Sequence, residues 1–293
     1  MNVNRKTMRC HNGLYHNFLA ITLGMFAACG QDGSEHPEVS SLHASMTIPS
    51  GYRVITTRSG VQCYQKDNAG GAPDYVCIVD LRQARVRTVH SARSGDNFGR
   101  KSLRNLWNDA AALESGTITR AIAINGTFFG TDFYPTQFAF PYKQEGTLLT
   151  YGKDCPAHVP SVRNLHLWWD RQYAAVSTYS CSAVDQAALT SFGSAPDILG
   201  TLDWTYSKNS TSPIPRTFVG VQDQDGNGTR ETLLIFSSAL ATQSYARQQL
   251  INFGANEIVM FDGGGSSALI INGIDKVSTA RTLPNALVVL AGP

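Results

Sequence analysis

The sequence predicts an α+β fold: a single domain with a large, mostly mixed β-sheet and a few packed helices. Three observations lead there. Short apolar runs rich in Val, Ile and Phe recur along the chain, each bounded by turn residues. Twenty-six glycines and twelve prolines supply many turns, which suits a strand-rich chain. Only two segments combine helical spacing with start and stop signals.

Taken in order, strands are expected at Tyr75–Leu81, Val86–His90, Ala121–Ile124, Leu165–Trp169, Thr217–Gln222, Thr232–Phe236, Glu257–Phe261, Ala268–Asn272 and Ala286–Leu290. The first helix begins after Ser102, whose hydroxyl can cap it, and runs through Glu114. Leu103, Leu106, Trp107, Ala110 and Leu113 share one side, and Gly116 follows the end. The second begins after Thr242, with Ala246, Leu250 and Phe253 on one face and Gly254 as the stop. It lies between the strands Thr232–Phe236 and Glu257–Phe261. The order strand, helix, strand, glycine-rich turn puts Asp262 at a strand's carboxyl end, where open α/β sheets bind ligands.

Residues 1–28 read as an export signal, with Arg5, Lys6 and Arg9 ahead of an apolar stretch from Phe18 to Ala28 that is too short to span a bilayer. Phe26-Ala27-Ala28-Cys29-Gly30 resembles a bacterial lipoprotein cleavage box, in which Cys29 carries the lipid; an ordinary secretory signal beside a cysteine is the other reading. Residues 29–46, polar and without hydrophobic period, follow as lipidated Cys29 and tether, and 47–293 as the folded domain. The expected location is the bacterial cell envelope, outer membrane or periplasm, with the membrane reached through the lipid alone.

Cys10 is removed with the signal. Cys63, Cys77, Cys155 and Cys181 then suggest two disulfides in an oxidising compartment, and the local pairs Cys63–Cys77 and Cys155–Cys181 are favoured. A net charge of +2 and scattered Lys and Arg give no case for nucleic acid as a partner.

The densest chemical signal is Asp262-Gly263-Gly264-Gly265-Ser266-Ser267, between two apolar runs. Glycines let a ligand approach the main chain, successive amides can cradle an anion, and two hydroxyls add donors. A tight turn solving a steric problem is the alternative. Asn125-Gly126-Thr127-Phe128-Phe129 ends another strand; its amide can orient a sugar hydroxyl or phosphate oxygen, although Asn-Gly is also a common turn pair. Arg216, in Pro215-Arg216-Thr217, and Arg281, before the last strand, have the fork geometry that suits phosphate, or else serve structural ion pairs.

Asp223, Asp225, Asn227 and Gly228 match the first half of a calcium loop. The expected terminal glutamate is replaced by Leu234, Glu231 stands at a different offset, and a plain hairpin turn is the competing reading. No cofactor is called for beyond such a structural calcium. His158 is a candidate acid or an ordinary loop histidine.

In this order, Asn-Gly-x-Phe-Phe, Pro-Arg-Thr, Asp-Gly-Gly-Gly-Ser-Ser and a late Arg before Asn-Ala-Leu resemble the phosphodiester glycosidase family. The likeness is strongest from about Ile214 to Leu290 and extends back to Asn125–Phe129, while 132–213 does not align. It implies a hydrolase that cleaves the bond between a sugar's anomeric carbon and a phosphodiester, acting on a phosphate-linked carbohydrate. Asp262, Arg216, Arg281 and Asn125 would be catalytic. Thr217, Gly263, Gly264, Gly265, Ser266 and Ser267 would bind substrate. Asp262 would serve as general base, nucleophile or electrostatic stabiliser. The alternative is a surface module of the same fold that binds phosphorylated glycans without turning them over.

Overall fold

Alternating apolar residues place two sets of side chains on opposite faces of a strand, and here both faces are covered. The computed structural model describes residues 46–69, 71–132, 134–154, 161–190 and 194–293, all within one compact unit; the signal, Cys29, most of the tether, Cys155 and His158 lie outside the described residues. The architecture is mostly strand.

An 11-stranded sheet runs, edge to edge, through Tyr52–Arg58, Val61–Lys66, Asp74–Asp80, Thr232–Ala241, Ile214–Gln222, Glu257–Met260, Asp197–Asp203, Val162–Trp168 and Tyr173–Thr178. Tyr142–Gln144 and Thr147–Thr150 extend it from Asp197–Asp203. A 5-stranded sheet orders Ile274–Val277, Leu269–Ile271, Thr119–Asn125, Asn285–Ala291 and Arg85–His90.

The inner faces of the two sheets share one core. Val219, Val221, Leu233, Ile235 and Val259 of the large sheet meet Ile122, Ile124, Leu287 and Val289 of the smaller one. Two-residue spacing within each strand produces this face. The intervening residues face outward onto helices. Phe218, Leu234 and Phe236 pack with Ala246 and Leu250 of the helix Gln243–Asn252 and with Phe253 just past its end. Ala123, Ala286, Val288 and Leu290 pack with Leu103, Leu106 and Trp107 of the helix Leu103–Asp109. The result is a two-sheet sandwich with a helix on each outer face.

Both helix starts follow the expected chemistry. Ser102 Oγ accepts from the Asn105 amide at 3.1 Å, and Thr242 Oγ1 accepts from the Tyr245 amide at 3.2 Å. Past the second helix, Gly254 takes φ +92°, a left-handed angle that glycine reaches without a Cβ clash.

The expected single, mostly mixed sheet is corrected to two principal sheets whose pairings among the described strands are all antiparallel. The strand–helix–strand order from Thr232 to Met260 joins two strands of the large sheet. Those two strands are parallel, but Ile214–Gln222 lies between them and pairs antiparallel with each. Cys63 and Cys77 are bonded across neighbouring strands, as expected. Cys181 is also disulfide-bonded, and its expected partner Cys155 lies outside the described residues.

Candidate active site

The glycine-rich turn is the passage between the sheets. The chain leaves the large sheet at Met260 and joins the smaller one at Leu269, so the segment around Asp262–Ser267 must cross the sandwich at one end. Antiparallel pairing brings the start of Ile214–Gln222 to the same end: Phe218 faces Met260, and the Phe261 amide donates to the Thr217 carbonyl at 3.0 Å. On the smaller sheet Ile124 faces Leu269, which delivers Asn125 to the crossing.

Asn125 then ties the pieces together. Its Nδ2 donates to the Asp262 carbonyl at 2.7 Å, while its Oδ1 accepts from Thr217 Oγ1 at 2.7 Å and from the Ala268 amide at 3.2 Å. Asn125 is 1% exposed and Thr217 0%. Asn125 and Thr217 thus direct these polar atoms at the loop and hold it against both sheets. Gly126 is required beside them, because a Cβ there would lie 2.2 Å from Oδ1 of the buried Asn285.

Asp262 supplies the carboxylate. Burial pushes it up to about 6, against the opposing pull of a hydrogen bond from Ser266, the charge of Arg281, the Gly263 amide and the charge of Lys208. Arg281 lies on the exposed side of the loop and its Nη1 donates to Ser266 Oγ at 3.0 Å. A Cβ on Gly265 would come within 3.1 Å of that guanidinium, so glycine lets the arginine lie against the turn. Thr279 Oγ1 also donates to the Gly265 carbonyl, pinning the Arg281 segment in place. Gly264 takes φ +57°, and the turn it opens is closed by the Ser266 amide donating to Gly263 O and the Ser267 amide to Gly264 O.

Ser266 and Ser267 are both buried, so they line the inside of the turn rather than its outer face. Ser266 links Asp262 to Arg281, while Ser267 Oγ has no hydrogen-bond partner among the described residues.

Arg216 is the largest fully buried side chain, and it is mostly committed. Its Nε donates to the Ala241 carbonyl, Nη1 to Lys208 O at 2.8 Å, and Nη2 to Asn209 O at 2.6 Å and Ser212 O at 3.4 Å. One Nη1 proton remains of the guanidinium's five. The arginine thus clamps the 208–212 segment over the site while still lining the cavity beside Asp262.

These groups border a cavity of about 370 Å³ lined by Asp262, Gly263, Gly264 and Arg216, with Lys208, Asp154, Tyr206, Phe128 and Phe140 among the opposing residues. Lys208, Asp154 and Tyr206 were missed in the sequence, where they lie in polar stretches without a motif. Lys208 is exposed, with its ammonium 5.8 Å from the Phe128 ring centroid and 5.7 Å from that of Tyr206. The cavity therefore offers one carboxylate with a raised pKa, the exposed cation Lys208 and an aromatic wall, with Arg281 behind the Asp262 turn. That set suits a ligand joining an anion to a ring with apolar faces.

The model of the phosphodiester glycosidase family matches residues 119–290. No protein with a curated description matches the chain. Among solved structures, a hypothetical protein from Synechocystis aligns at 13% identity and a TM-score of 0.49, covering 83% of this chain and 69% of the other. The zebrafish N-acetylglucosamine-1-phosphodiester alpha-N-acetylglucosaminidase catalytic domain, auto-inhibited by its pro-peptide, aligns at 15% identity and a TM-score of 0.49, covering 82% and 81%. The matched span includes Asn125, Arg216, Asp262 and Arg281 and more than half of the sequence, and the chain belongs to the phosphodiester glycosidase family.

Proposed function

We propose that this chain is an exported hydrolase that cleaves the anomeric C–O bond of a sugar-1-phosphodiester. The observation that carries this reading is Asp262: a carboxylate raised to about 6, facing a cavity beside Arg281 and Lys208. A base with a pKa just below neutral pH is ionised under working conditions yet still accepts a proton readily.

In the proposed reaction Asp262 takes a proton from a water as the water oxygen bonds to the anomeric carbon. The bond from that carbon to the phosphate oxygen breaks, and its electron pair leaves with the phosphate. Arg281 and Lys208 balance the charge that accumulates there, so departure needs no strong acid. Tyr206, Phe128 and Phe140 supply apolar surface for the sugar ring. Asn125, Thr217 and Arg216 hold the loops that carry these groups.

The pattern of residues 1–28 with Cys29 supports export to the bacterial envelope and a lipid anchor, which would bring the site to phosphate-linked envelope glycans. The test is release of reducing sugar from a panel of hexose-1-phosphodiesters by the wild-type protein, Asp262→Asn and Arg281→Ala. Turnover by the wild type that collapses in Asp262→Asn supports the reading. Saturable binding of the same compounds without turnover would replace it with a glycan-binding module.

A further inference from the structure

We propose a calcium site at the hairpin that joins Ile214–Gln222 to Thr232–Ala241, formed by Asp223, Asp225 and Glu231. One carboxylate oxygen from each of these residues lies within 4.8 Å of the others. The sequence pattern supplies only the first two. The third comes from the fold, because Glu231 sits immediately before the returning strand and turns back into the loop.

Glu231 is the observation that calls for a cation. It is 3% exposed. Its Oε1 accepts from the Gln224 amide at 2.9 Å, but its Oε2 is buried and accepts no hydrogen bond among the described residues. A buried carboxylate oxygen without a partner is costly unless a positive charge meets it. Of the surrounding cations, Arg82 is held by Asp80 at 2.9 Å, reaches Asp225 at 3.9 Å and lies within the field of Glu231 without donating to its Oε2, while Arg230 pairs with Glu257 at 2.8 Å.

The rest of the loop is arranged to hold its donors. Asp223 accepts from the amides of Gly226, Asn227 and Gly228. Asn227, the other residue of the sequence pattern, directs its Oδ1 to the Thr229 amide at 2.7 Å and is not a ligand in this arrangement. Three hard oxygen donors on an irregular loop suit calcium, which tolerates variable geometry, better than magnesium, which demands an octahedron. A site of three carboxylates, one of them buried and one exposed, points to a dissociation constant on the order of 10⁻⁴ M.

The test is calorimetric titration of calcium, and separately magnesium, into the EDTA-treated full chain, with melting curves in both ions. The expected result is one calcium per chain, a melting point raised by about 5 °C at ~10 mM calcium, and at least ~10-fold weaker magnesium binding. Glu231→Gln should bind calcium at least ~10-fold more weakly yet melt no lower than the parent in EDTA, since it removes the unpaired buried charge. Asp225→Asn, on an exposed side chain, should weaken binding similarly without disturbing the fold. Absence of calcium binding up to ~10 mM, or parent-like affinity in both variants, would overturn the site.

Discussion

At one end of the strand Ile214–Gln222 lies the Asp262 turn; at the other lies the Asp223 hairpin. Arg216 and Asp223 are seven positions apart, about 23 Å at ~3.3 Å per residue, so the two regions are independent neighbourhoods. Both are built from Asp, Gly and small polar residues. Their carboxylates meet opposite fates. Asp223 accepts three backbone amides at a hairpin tip, whereas Asp262 is half-buried at the cavity where the chain crosses between sheets and is pushed up to about 6. The lesson is that such a turn takes its chemistry from the sheets around it. A crossing between layers desolvates its carboxylate and raises its pKa; a surface hairpin satisfies its carboxylate with backbone amides.

The strongest way to break this comparison is at Asp262. Asp262→Asn should lower kcat by about 10³-fold in a sugar-release assay, the range expected for loss of a general base. The same variant carries a stability signature. Neutral Asp262 contributes stability that is fully present below about pH 4 and is lost as the pH rises through about 6. Asp262→Asn should therefore be more stable than the parent by about 3 kcal/mol at pH 8 and nearly equal to it at pH 4, as read by urea melts. A catalytic loss together with a stability gain is what an enclosed functional acid should show.

Next in size is the tie. Asn125→Ala removes hydrogen bonds to Asp262, Thr217 and Ala268 and leaves buried groups unpaired, so it should cost about 3 kcal/mol in denaturant melts and about 10²-fold in kcat. Arg281→Ala should raise KM about 10-fold by loss of a charged phosphate contact. It should also move the Asp262 titration upward in the pH profile of kcat/KM, since Arg281 opposes the effect of burial. The smallest expected effect comes from the far end of the strand: EDTA should lower the melting point by a few degrees while kcat/KM at 25 °C stays within about twofold.

The outward- and inward-facing apolar runs were legible in the sequence because both faces of the central strands are buried, and the helix caps at Ser102 and Thr242 were legible because each pairs a hydroxyl with a helical apolar side. The strand Asp197–Asp203 was not legible. Gly200 interrupts its pattern, and the structure gives the reason: a Cβ there would lie 2.4 Å from Phe140 and 2.8 Å from Pro141. Tyr52–Arg58 was missed at the sheet edge, where half-exposed polar residues blur the alternation. At the site, Asn125 and Asp262 could be named because each closes an apolar strand, and Thr217 because it opens one. Their division of labour could not, since only the pairing of two sheets shows that Asn125 serves the loop. Lys208 and Asp154 stand in polar segments whose place in the cavity depends on contacts with distant strands.

The central claim is that Asp262, raised by burial, acts as an ionised base. The most direct test is the pH dependence of kcat/KM on a sugar-1-phosphodiester between pH 4 and 9, which reports the free enzyme. The account predicts a rise to a plateau with its midpoint near 6, shifted upward in Arg281→Ala. A rate that falls as the pH rises through 6, or a midpoint that Arg281→Ala leaves in place, would contradict it.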